Sequence, residues 1–146
     1  YARNVCKIED ANTKEAEQEG IEVKNPVVCI LESQKSVTKK GGTMRLGGQD
    51  VVIEKNTIAE RIYNNTLIRE RFRHRYEINP DYVPQLEKAG LVFSGHHPEE
   101  NIVQIMELPE HPCFIGSQFH PELLSSLIKP APMFHCLVKS AITHSE

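Results

Sequence analysis

From Leu67 to Ile78 polar and apolar positions alternate strictly, the period-two signature of a strand with two unlike faces. One face carries Ile68, Phe72, Tyr76 and Ile78, with Glu70 and His74 between them. The other carries Arg69, Arg71, Arg73 and Arg75, then Glu77. Shorter apolar runs predict further strands at "VVCIL" after Pro26, "DVVIE", "LVFSG", "NIVQIMEL" and "CFIGSQF". The polar turn His97-Pro98-Glu99-Glu100 between two of these predicts an antiparallel pair.

Helical signals are fewer. "NTIAERIY" reads as a short helix capped by Asn56 or Thr57, with Glu60 in its first turn. "NPDYVPQLEKAG" predicts a turn and a short helix closed by Gly90. Residues 132–143 place Met133, Phe134, Leu137, Val138 and Ile142 at helical spacing. Residues 1–9 read as the end of a helix, 10–25 as an acidic loop, and "KSVTKKGG" as a flexible basic loop feeding "GGTMRLGG". With no repeat and no composition shift, the reading is one α/β domain over residues 1–146, built on a mixed sheet.

Composition narrows the function classes. A net charge of −3 with a pI near 6.2 argues against a nucleic-acid binder or a membrane-surface protein. No apolar run approaches the roughly 18–20 residues needed to cross a bilayer. Cys6, Cys29, Cys113 and Cys136 are scattered, with no C-x-x-C pair, which fits neither a zinc knuckle nor a dithiol redox motif and leaves reduced cytoplasmic thiols as the expectation. His96, His97 and His111 lack partners at metal-ligand spacing, so they read as turn histidines and no metal is expected.

The densest chemistry is "QFHPE" at 118–122. Residues two apart on an extended segment share a face, and Pro121 biases His120 toward extended backbone. Imidazole and carboxylate then come as one unit at a strand end, where α/β sheets place their ligand crevices. A carboxylate on one ring nitrogen fixes the tautomer and frees the other to take a proton. Three residues alone equally describe a surface ion pair. The four arginines form either an anion-binding face or a solvated one balanced by Glu77 and acidic neighbours. "KKGGTMRLGG" suits close approach to a phosphate but lacks the G-K-[ST] ending of a Walker loop.

Taken together, "GGTMRLG" at 41–47, "RHRYEIN" at 73–79 and "QFHPE" resemble the C-terminal glutaminase domain of the CTP synthases. "YARNV" at 1–5 and "DANTKE" at 10–15 are similar to the stretch that follows the nucleophile there, so the resemblance runs along essentially the whole chain. It implies a flavodoxin-like class I glutamine amidotransferase fold whose N-terminal part is absent. It also implies hydrolysis of L-glutamine through a Cys-His-Glu triad, with ammonia passed to a synthetase domain of the same polypeptide for amination of UTP to CTP. His120 would then be the general base and acid, and Glu122 its orienter. Arg75 would take the α-carboxylate of glutamine and Glu15 its α-ammonium, while Thr43 and Arg45 would belong to a lid that responds to GTP. The domain itself would need no cofactor. ATP and magnesium would serve the synthetase domain, and the parent would be a cytoplasmic homotetramer without nucleic-acid or membrane partners.

The G-x-C-x-G turn that holds the family's nucleophile does not occur in this sequence. By this reading Cys6 lies in a helix, Cys29 and Cys113 lie in apolar strands, and Cys136 lies on the last helix, none of them an activating context. The chain alone is therefore expected to be inactive. Another class I amidotransferase and an inactive regulatory or assembly module are the alternatives.

Overall fold

The structure, a computed structural model, describes residues 1–31 and 44–145. The basic loop expected over 35–42 and Thr43 lie outside the described residues. Two compact units divide the chain: residues 1–46 with 74–91, and residues 47–73 with 92–146.

In the first unit, β1 (Ala11–Thr13) pairs parallel with β2 (Asn25–Cys29), and β2 pairs antiparallel with β5 (Glu77–Ile78). The stretch expected as an acidic loop is thus partly ordered. After β1 comes a 3-10 helix, Lys14–Glu19, whose first turn is capped by the Thr13 hydroxyl accepting from the Glu15 amide at 3.3 Å. Gly20, at φ 79°, closes it in the left-handed conformation that glycine adopts without strain. Both ends carried ordinary start and stop residues, but five polar residues around one alanine offered no apolar periodicity to reveal them. Residues 1–8 form consecutive turns, Val5 N donating to Tyr1 O at 2.8 Å and Ile8 N to Ala2 O at 3.0 Å. Helix α2 (Val83–Lys88) follows a 3-10 turn at Pro80–Tyr82, and Gly90 (φ 101°) ends it as expected.

In the second unit, the sheet runs in the order β4 (Leu67–His74), β3 (Arg45–Ile53), β6 (Val92–His96), β7 (Val103–Glu107), β8 (Ile115–Ser117). Pairs β3–β6, β6–β7 and β7–β8 are antiparallel, including the hairpin expected across His97–Glu100. With the parallel β1–β2 pair, the chain has the mixed α/β pairing read from the sequence. Its core is Val51, Ile53, Ala59, Phe72, Ile105, Phe119 and Met133, side chains drawn from β3, β4, β7, the QFHPE segment and both helices of the unit.

Helix α1 (Ile58–Tyr63) starts where predicted. Thr57 Oγ1 accepts from Glu60 N at 3.1 Å while Glu60 Oε2 accepts from Asn56 N at 2.7 Å, a reciprocal cap. Two more of its orphan amides, Ile58 N and Ala59 N, donate to the buried Glu107 carboxylate at 2.7 and 3.0 Å. Helix α3 (Pro132–Thr143) also forms as predicted, but only Met133 of its apolar set is buried. Phe134, Leu137, Val138 and Ile142 are 40–60% exposed.

Two expectations change. The alternation from Leu67 holds to His74, with Glu70 and Phe72 buried and Arg69, Arg71 and Arg73 exposed. It then breaks at Arg75 and Tyr76, and β5 pairs with β2 instead. Glu77, expected on the arginine face, is wholly buried, because its carboxylate receives Arg45 Nε at 2.8 Å and lies 3.0 Å from His74 Nε2. The second half of "GGTMRLGG" is strand and not loop. Gly48 lacks the side chain that would crowd Arg69, and the Arg69 guanidinium donates to Gly48 O and to Asp50 Oδ1, both at 2.8 Å.

Candidate active site

His120 is held at the end of the second unit's sheet by backbone and ring packing. Gln118 N donates to Gln104 O and His120 N to Arg71 O, each at 2.9 Å, which pins both flanks of Phe119. The Phe119 ring stands edge-on to Phe72 (centroids 5.8 Å) and to Tyr63 (6.4 Å). The apolar residue of the motif therefore anchors, and the two polar ones project. His120 has φ −105° and ψ 89°, outside the helical region that a following proline disfavours but short of the fully extended backbone expected from the sequence. Pro121 then opens the single 3-10 turn Pro121–Leu123 that carries Glu122.

His120 Nδ1 and Glu122 Oε1 lie 2.6 Å apart. The bond from His120 holds the Glu122 carboxyl below the usual carboxylate range, so Glu122 is the ionised acceptor. Nδ1 must then carry the proton, and Nε2 is left as the basic atom. Both side chains are partly open to solvent.

The other sequence-predicted residues belong to the first unit. Glu15 is exposed on the first turn of the 3-10 helix, and Arg75 is exposed in the break between β4 and β5. A bond from Gln18 Nε2 to the Tyr76 hydroxyl, 2.7 Å, ties those two segments together. Beside them lies a cleft of about 640 Å³ lined by Lys14, Gln18, Cys29, Tyr76 and Asn79, among others. Arg45 begins β3, and its guanidinium is engaged by Glu77.

The sequence pattern placed Glu77 on the arginine face, whereas Glu70 is buried on the apolar face to which the alternation assigned it. Glu70, buried on β4 opposite the arginines, has its carboxyl pushed up by burial, partly offset by the Tyr63 hydroxyl. Burial also raises the Tyr63 phenol, with the Glu70 charge adding to it. A carboxyl with a raised folded pKa favours the protonated native state. Its penalty is absent below the unfolded value near 4.5 and grows as pH rises through the folded value. Urea denaturation should accordingly show Glu70→Gln gaining stability relative to the unaltered protein between pH 4.5 and pH 7.5. Parallel curves would contradict it.

All four cysteines are free and half-buried. Cys6 lies in the N-terminal turns and not a helix, Cys29 ends β2, and Cys136 is on α3. Cys113 lies in a turn ahead of β8 rather than in a strand, and burial and the neighbouring Cys136 push its thiol up. The turn histidines have local work: His97 Nδ1 accepts from Glu99 N and Glu100 N, and His111 Nδ1 from Cys113 N. Among the described residues no helix is long and apolar enough to cross a membrane.

A model of the family Glutamine amidotransferase class-I matches residues 11–140. The chain belongs to that family. Among curated relatives, this amidotransferase chain is 46% identical over 142 residues to the CTP synthase of Borreliella afzelii, covering 97% of the chain and 27% of the relative. It is 49% identical over 141 residues to that of Cytophaga hutchinsonii, covering 97% and 26%. The chain thus spans about a quarter of these relatives' length. A solved Trypanosoma brucei CTPS glutaminase domain with bound acivicin superposes with a TM-score of 0.82 at 36% identity, over 96% of this chain and 54% of that one. The fold is the flavodoxin-like class I amidotransferase fold that the sequence motifs implied.

Proposed function

We propose that this chain is the base-bearing, glutamine-recognising portion of a CTP synthase glutaminase domain. The observation that carries the reading is the 2.6 Å His120–Glu122 pair, oriented so that Nε2 is the free base. In the proposed reaction Nε2 takes the proton from a cysteine thiol. The thiolate attacks the side-chain amide of L-glutamine, and His120 returns the proton to the departing ammonia. Water then releases glutamate from the thioester. Glu122 holds the tautomer and stabilises the imidazolium that forms in between.

Recognition of glutamine needs a cation for its α-carboxylate and an anion for its α-ammonium. Arg75 and Glu15 are given those roles; both are exposed, and Arg's planar fork suits a carboxylate. The ammonia would serve a synthetase domain that uses ATP and magnesium to aminate UTP, within a parent homotetramer. GTP would activate through the segment of Thr43 and Arg45, and Arg45 is bonded to Glu77 at 2.8 Å.

The nucleophile is assigned to a G-x-C-x-G turn outside this sequence. The test is intact mass after treatment with acivicin, the ligand named in the T. brucei structure. The 146-residue chain should stay at 16.6 kDa without adduct and release no ammonia from glutamine. The full-length protein should take one adduct on a cysteine of that turn. An adduct on Cys6, Cys29, Cys113 or Cys136 with matching glutaminase activity would overturn the assignment.

A further inference from the structure

Helix α3 buries Met133 and leaves Phe134, Leu137, Val138 and Ile142 exposed, while half-buried Cys136 and Ser140 with exposed His135, Lys139 and Thr143 line an open cavity of about 670 Å³ within the second unit. Arg61 and Ile62 of α1 form another part of the wall, and Pro112, Pro130 and Pro132 supply further apolar surface. His144, just past the end of α3, completes the set.

The charges are one-sided. The cavity has two permanent cations, Arg61 and Lys139, and two imidazoles, with no carboxylate among its lining residues. That is notable in a chain of net charge −3. Neither Arg61 nor Lys139 has an ion-pair partner among the described residues. The hydroxyl protons are already engaged, Ser140 to Pro112 O at 3.2 Å and Thr143 to Lys139 O at 3.1 Å. What remains to meet a ligand is nitrogen donors carrying positive charge. Arg61, in the last turn of α1, complements that helix's dipole, but a helix end amounts to only about half a charge, and Lys139 lies outside the last turn of α3. Two whole cations exceed that, and the surplus is positive.

We propose that this cavity binds a phosphate-bearing small molecule. Two cations on different helices match an anion of more than one charge, and Arg61 can address two of its oxygens at once. The volume exceeds what a bare phosphate needs and lies in the range of small-ligand sites, so the proline and isoleucine wall is left for an uncharged body. The site is separate from His120 and Glu122, which do not line it.

Inorganic pyrophosphate is the probe, titrated into the protein at constant ionic strength and followed by amide NMR and calorimetry. Saturable one-to-one binding is expected, with shifts at residues 135–144 and around Arg61. Arg61→Gln with Lys139→Gln should weaken it about tenfold or more. Three results would overturn the site: no saturation at millimolar pyrophosphate, shifts confined to the Arg69, Arg71 and Arg73 face, or undiminished binding in the double variant. Should that variant fail to fold, the shift map of the unaltered protein decides between the cavity and the arginine face.

Discussion

Replacing His120 by alanine in the full-length protein is expected to lower glutamine hydrolysis by about 10²–10⁴-fold, the usual contribution of one general acid–base group. The fold should survive, because His120 contributes its side chain to solvent and to Glu122 while Phe119 carries the packing. Binding of glutamine should change far less than turnover, since the residues assigned to its two charged ends are Arg75 and Glu15. On the proposed function, nucleotide amination driven by added ammonia should persist, because it bypasses the proposed thioester. Glu122→Gln should fall between the two enzymes: the amide can still meet the ring but no longer stabilises the imidazolium or enforces the tautomer. Steady-state assays with glutamine and with ammonium salts separate these cases. Equal loss on both nitrogen sources would mean that His120 acts on something other than amide hydrolysis.

Glu77→Ala should be the most damaging single change to stability in the first unit, costing about 3–5 kcal/mol. Glu77 has no exposed surface, and the Arg45 side chain bonded to it is only 10% exposed. Removing the carboxylate takes a buried charged acceptor away from the Arg45 guanidinium and from beside His74. Glu77→Gln should cost less, because an amide oxygen can still accept from Arg45. Denaturant unfolding of the three proteins gives the order directly. A Glu77→Ala protein within about 1 kcal/mol of the original would mean that water replaces the carboxylate and that the pair is not sealed. The same substitution should loosen the start of β3, so it also probes whether Arg45 anchors the segment assigned to GTP.

Local pattern determined a large part of this molecule. The strands from β6 to β8, the cap of α1, the Gly90 stop and the extent of α3 were all legible, because each follows from side chains interacting with their own stretch of backbone. The His120–Glu122 pair was legible for the same reason: residues two apart, with proline between them, have little freedom to do anything else. Folding decided what depends on partners remote in sequence. Glu77 is buried because Arg45, 32 residues away, reaches it, and no period along the chain encodes that encounter. Gly47 and Gly48 read as loop, yet β3 takes them in so that Arg69 can lie against Gly48. The apolar stripe of α3 set its helical period but not its direction. Of that stripe only Met133 reaches the core, where Ala59, Phe72 and Phe119, all remote in sequence, meet it.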